Sequence, residues 1–165
     1  MPNFNDMPDA AARAALVQCC GSSRWVQAML ARRPFADTAA VFAAADEIDR
    51  TLTRTDWLEA FAAHPKIGDL ASLRTKFATT AHLTSHEQQG VQQAAEATLL
   101  GLAEGNAAYE DRFGHIFIVC ATGKTADEML AMLRARLPND AETELRIAAG
   151  EQAKITRLRL EKLLS

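Results

Sequence analysis

Apolar residues recur every three to four positions along almost the whole chain, and the breaks fall at proline, glycine and short polar runs. That period predicts helices from Pro8 to about Cys20, Arg24 to Arg32, Asp37 to Arg50, Thr55 to His64, and Ala71 to Phe77. A polar loop leads to Leu83. Thr84-Ser85-His86-Glu87 then opens a long helix to about Ala103, and a short one follows from Glu104 to near Phe113. Thr125 and Glu128 have capping-box spacing ahead of an inner stripe of Ala126, Leu130, Leu133 and Leu137, and Pro138 and Asn139 end that helix. A last helix spans Ala141 to Leu164. The predicted fold is all-α, a single-domain bundle of about eight helices over residues 1–165. One segment breaks the rule: residues 115–121, with His115-Ile116-Phe117-Ile118-Val119-Cys120 at their head, are β-branched and aromatic between Gly114 and Gly123. With no partner strand in sight, its backbone groups could meet a polar ligand, a loop, or a second copy of the chain.

Composition narrows the class. At 165 residues with 48% apolar and 24% charged residues, the chain can bury an ordinary globular core without disulfides. A net charge of −3 offers no basic footprint for nucleic acid. No apolar run reaches the ~20 residues of a membrane span, and Met1 to Asp9 carries no secretory pattern. Cys19, Cys20 and Cys120 make a poor disulfide framework, so reduced thiols and a cytoplasmic location are expected.

Three ionisable residues fall where apolar ones are expected. His64 shares a helix face with Trp57 and Phe61, and Pro65 stops the helix beside it. An imidazole held there suits acid–base work near neutral pH, or it is a core histidine with one satisfied hydrogen bond. Glu87 lies on the stripe of Val91, Ala94 and Leu102, yet it also completes a capping box with Thr84. Arg159 falls between Ile155 and Leu163, predicting an inward face unless its guanidinium snorkels to water. Each buried charge is costly unless paired or set in a wet pocket, so together they suggest one polar site. His82 and His86 are four apart but lack further ligands, so no metal is expected, and Gly123-Lys124-Thr125 lacks the upstream glycine of a phosphate loop. Cys120 reads as a small buried hydrophobe.

The blocks Cys19-Cys20-Gly21-Ser22 with Trp25 and Met29, Arg33-Pro34-Phe35, and His64-Pro65-Lys66-Ile67-Gly68-Asp69 occur in this order with Glu87-Gln88. Arg112-Phe113-Gly114-His115-Ile116-Phe117-Ile118-Val119-Cys120 and Glu151-Gln152-Ala153-Lys154-Ile155, leading to Leu158-Arg159-Leu160, complete the series. The set closely resembles the OHCU decarboxylases, the 2-oxo-4-hydroxy-4-carboxy-5-ureidoimidazoline decarboxylases of urate degradation. The resemblance implies a helical bundle, commonly a homodimer, that releases carbon dioxide to give (S)-allantoin without metal or organic cofactor. By that resemblance His64, Glu87 and Arg159 are catalytic, while Pro65, Gln88, Ile116, Phe117 and Ile118 line the substrate. Thr84 or Ser85 supplies a hydroxyl three or two residues before the glutamate. The competing readings are a non-catalytic helical module binding a ligand or partner helix, and a lyase acting on another ureido acid.

Overall fold

In a computed structural model of the chain, backbone is described for residues 2–66, 70–77 and 85–165, and side chains for 4–66, 70–77 and 95–165. The elements of the described residues are all helices, as the period predicted, with a short α1 added at the start: α1 (Pro2–Asn5), α2 (Asp9–Cys19), α3 (Ser23–Ala31), α4 (Thr38–Asp49), α5 (Arg54–Ala62), α6 (Leu70–Lys76), α7 (Ser85–Phe113), α8 (Ala126–Arg136) and α9 (Ala141–Leu164). Among them there is no strand. Local chemistry sets many of the ends. The Ser22 hydroxyl accepts from the Trp25 N–H at 3.3 Å, and Asp37 accepts from Ala40 N–H at 2.8 Å. At α8 the predicted capping box closes reciprocally, with Glu128 N–H on the Thr125 hydroxyl at 3.2 Å and Thr125 N–H on the Glu128 carboxylate at 2.9 Å.

Three boundaries differ from the sequence expectation. α5 begins after Thr53 rather than Thr55, because the Asp56 carboxylate reaches back to the Thr53 N–H at 2.8 Å. It also stops at Ala62, two residues short of His64. The helices predicted over 84–103 and 104–113 are one, α7, which ends at Gly114 with a φ of +76°. Gly105 does not break it. Glycines at 101 and 105 form a bare strip under α8, where a β-carbon on Gly105 would lie 2.6 Å from Leu133 Cδ2.

The chain divides into two compact units, residues 1–64 with 145–165, and residues 65–144. In the first, α3 is the hub, packed by α2, α4 and α5. Its Trp25, Val26 and Met29 are fully buried and share a core with Leu16, Val41 and Ile48. In the second, α7 packs on α6 and α8, bringing Leu102, Tyr109 and Phe113 against Leu130 and Leu133. α9 spans the division. Its buried face is Glu144, Ala148, Glu151, Gln152, Thr156 and Leu160, which is one position out of phase with the stripe of Ile155, Arg159 and Leu163. Polar residues occupy that face because each has a partner there, as described below for Glu144, Gln152 and Thr156.

Candidate active site

His64 is seated by the contact between α5 and the start of α3. The Glu59 carboxylate accepts from the Ser23 N–H at 2.8 Å and from the Ser23 hydroxyl, and Arg24 pairs with Asp56 at 3.3 Å. Between them the backbone at Gly21 comes so close to Ala63 that a β-carbon on residue 21 would overlap the Ala63 methyl. This anchors the last turn of α5 directly before the histidine. His64 N–H then bonds the Phe61 carbonyl at 3.2 Å, and Trp57 and Phe61 stack beneath at 6.4 Å between ring centroids. The predicted shared face is present, with Phe61 fully buried and His64 half-buried.

The imidazole Nε2 lies 2.5 Å from Oε1 of Gln152, a fully buried amide on α9. The other end of that amide donates to the Thr156 hydroxyl at 3.1 Å, and Thr156 in turn hydrogen-bonds the Cys20 sulfur. Burial pushes the Cys20 thiol up to about 11, so the amide, the hydroxyl and the thiol behind the ring are all neutral near pH 7. The imidazole itself is pushed below its usual 6.5, chiefly by burial. The Gln152 hydrogen bond opposes that shift and the Arg159 charge reinforces it. A base held neutral at physiological pH can both accept and return a proton.

Arg159 is exposed rather than inward, its guanidinium donating to the Gln18 carbonyl at 3.2 Å. The apolar period misplaced it because the inward face of α9 is taken by Gln152 and Thr156. Its charge nonetheless acts on both His64 and Cys19, so the cation and the imidazole belong to one electrostatic neighbourhood. Of the three predicted catalytic groups, the structure describes His64 and Arg159, the second acting on the first through its charge. The third lies outside the described residues: Ser85, Glu87 and Gln88 are helical in α7 but their side chains are not described, and Thr84 and His82 fall outside altogether. Pro65 follows His64 as an exposed residue.

Residues 116–120 have no regular secondary structure and are not a strand awaiting a partner. Alternate carbonyls are met from within: Ile116 by the His115 ring at 3.0 Å, Ile118 by the Arg136 guanidinium at 2.7 Å, and Cys120 by the Lys124 ammonium at 2.7 Å. Arg136 is itself buried, stacked 4.6 Å over the Phe117 ring and bonded through Nε to Glu144 at 2.7 Å. Glu144 is fully buried and also accepts from the Tyr109 hydroxyl at 2.6 Å and from Asn139 at 3.1 Å. One edge of the segment is therefore fixed by side chains.

The family OHCU decarboxylase matches residues 5–161. The chain belongs to the OHCU decarboxylase family. A uric acid degradation bifunctional protein of Arabidopsis thaliana is 41% identical over 147 residues, 89% of this chain and 45% of the relative. A 2-oxo-4-hydroxy-4-carboxy-5-ureidoimidazoline decarboxylase of Amia calva is 36% identical over 84 residues, 47% of this chain and 48% of that one. The chain thus spans less than half the length of these relatives. A crystal structure of an OHCU decarboxylase in the presence of (S)-allantoin superimposes with a TM-score of 0.72 at 39% identity, covering 96% of this chain and 99% of that one.

Several blocks that carry the OHCU decarboxylase resemblance now have physical reasons. Cys19 and Cys20 fill the core, Gly21 allows the approach to Ala63, and Ser22 caps α3. Sequence reasoning assigned no role to Gln152, Arg136 or Glu144. A glutamine and a glutamate on the apolar face of α9 were the available signal, since such groups are buried only with partners. Among the described residues no cluster of three or more His, Cys, Asp or Glu could hold a metal ion. Lys124 is occupied in closing the turn at Gly123, by its ammonium on the Cys120 carbonyl and its N–H on Ala121 at 3.0 Å. No helix of the described residues is long and apolar enough to cross a membrane.

Proposed function

We propose that the chain decarboxylates 2-oxo-4-hydroxy-4-carboxy-5-ureidoimidazoline to (S)-allantoin as one domain over residues 1–165, using no cofactor. The observation that carries this reading is the half-buried, neutral imidazole of His64 within reach of the Arg159 charge, in a chain of this family. In the reaction the carbon–carboxylate bond breaks, its electron pair passes into the adjacent ring C=N, and carbon dioxide leaves. The carbon that lost the carboxylate is left as an enol; its hydroxyl proton departs as the ring carbonyl forms, and a proton delivered from one face to the ureido-bearing ring carbon sets the product's handedness.

His64 serves as the proton carrier, first contacting the substrate hydroxyl and then supplying the proton. Glu87 orients it, and Arg159 stabilises the charge that develops on the ring. Pro65, Gln88, a hydroxyl from Thr84 or Ser85, and backbone groups of Ile116, Phe117 and Ile118 hold the ring and ureido amides. A homodimer and cytoplasmic residence complete the proposal. The three cysteines are free and buried, which is in keeping with a reducing compartment.

Freshly generated substrate added to the purified chain tests it, with ultraviolet absorbance followed beside the optical activity of the product. Rapid loss of absorbance with formation of one enantiomer is expected. A rate equal to spontaneous decay, with racemic product, overturns it.

A further inference from the structure

We infer that Gln152 is the positioning residue of His64, a buried amide that fixes the imidazole as its Nε2–H tautomer and leaves Nδ1 as the nitrogen that exchanges protons with a ligand. This deepens the proposed function and rests on it for its catalytic consequence, although the tautomer itself does not. The geometry is directional. A side-chain amide has one accepting and one donating end, and both ends of Gln152 are engaged in a fully buried site. The amide nitrogen donates to the Thr156 hydroxyl oxygen at 3.1 Å, and Oε1 faces the ring. A carbonyl oxygen only accepts, so the proton lies on Nε2 at 2.5 Å. Turning the amide over would set its N–H₂ against the ring and require the other tautomer, with the protons reversed along the links to Thr156 and Cys20.

The arrangement differs from a histidine backed by a carboxylate. Among the described residues, Gln152, Thr156 and the neutral Cys20 thiol hold the ring without adding charge, and the Arg159 charge acts on it. Orientation is supplied while the proton affinity is left low. A carboxylate in the same place would trap the imidazolium.

The test is nitrogen-15 NMR of the full-length chain, with His64 assigned by comparison with His64→Asn. A protonated Nε2, an unprotonated Nδ1 and a slowly exchanging downfield imidazole N–H are expected above pH ~7.5, where an unperturbed histidine is neutral. In Gln152→Met that N–H signal disappears, the His64 titration midpoint falls further, and kcat drops about 10–100-fold with KM little changed. In Gln152→Glu the midpoint rises and the acid limb of the rate profile moves with it. Protonation at Nδ1 in the wild-type chain overturns the inference, as does a His64 midpoint that is the same in all three proteins. The wild-type spectrum decides the tautomer even if a variant fails to fold. A correct tautomer in a chain that does not accelerate substrate loss would overturn the proposed function and leave this inference standing.

Discussion

Behind His64 the buried polar groups are an amide, a hydroxyl and a thiol, whereas behind the 116–120 segment they are a guanidinium and a carboxylate in contact. Both sets draw on α9, the first through Gln152 and Thr156 and the second through Glu144. Among the described residues the neutral set leaves the imidazole's proton affinity to burial, to the Gln152 hydrogen bond and to the Arg159 charge, which suits a group that must gain and lose a proton. The ionic set does the opposite. With Arg136 gripping the Ile118 carbonyl, stacking on Phe117 and pairing with Glu144, it makes a stretch of backbone rigid and tolerates no change of charge. A moving proton is backed by neutral groups, and a fixed backbone by charged ones.

The sharpest way to break this contrast is His64→Asn. It should remove about 10²–10⁴-fold of the turnover, measured by substrate absorbance, while urea unfolding stays close to wild type. Equal loss of stability would make His64 a core residue. Next in size, Glu144→Leu strands the Arg136 charge and should cost about 3–5 kcal/mol in urea unfolding, with most of it recovered when Arg136→Met is added. A double variant as unstable as the single one would mean that the pair contributes through packing alone. Thr156→Val removes one neutral link and should cost only about 1 kcal/mol by the same measurement.

The smallest effect is on pH. The unfolded chain binds the His64 proton before the folded one does, so stability should fall as pH drops through 6.5 and level off above it. Asp49, raised to about 6 by burial and the nearby Asp46, has the opposite sign, since its folded form is stabilised as pH falls through that value. Measured in an Asp49→Asn background, the His64 slope should stand alone. Adding Arg159→Gln should make it shallower, because the imidazole then titrates closer to 6.5. An unchanged slope would separate Arg159 from the imidazole.

The parts of this molecule that were legible in sequence are those written locally. Ser22, Asp37 and Thr125 cap helices within three residues of themselves, so α3, α4 and α8 fall within a residue or two of expectation. His64 stood out because Trp57 and Phe61 mark its face and Pro65 ends the run. What was hidden depends on distant partners. Gln152 is 88 residues from His64, and an amide in a helix carries no sign of what it will bond. The phase of α9 was misread for the same reason, since counting apolar positions gives Ile155 and Leu163 priority over polar groups that each have a partner. α7 runs through the expected break at Ala103–Glu104, where the glycines at 101 and 105 give room to the Leu130 and Leu133 side chains of α8.

The missing side chain at Gly21 has a practical meaning. Because the turn ahead of the imidazole rests on bare backbone, the height of that ring is set by one absent methyl group and not by any residue that a designer would ordinarily mutate. Libraries built around the histidine can change its proton affinity, but moving it would require adding a carbon on a different helix junction, 43 positions upstream in the chain.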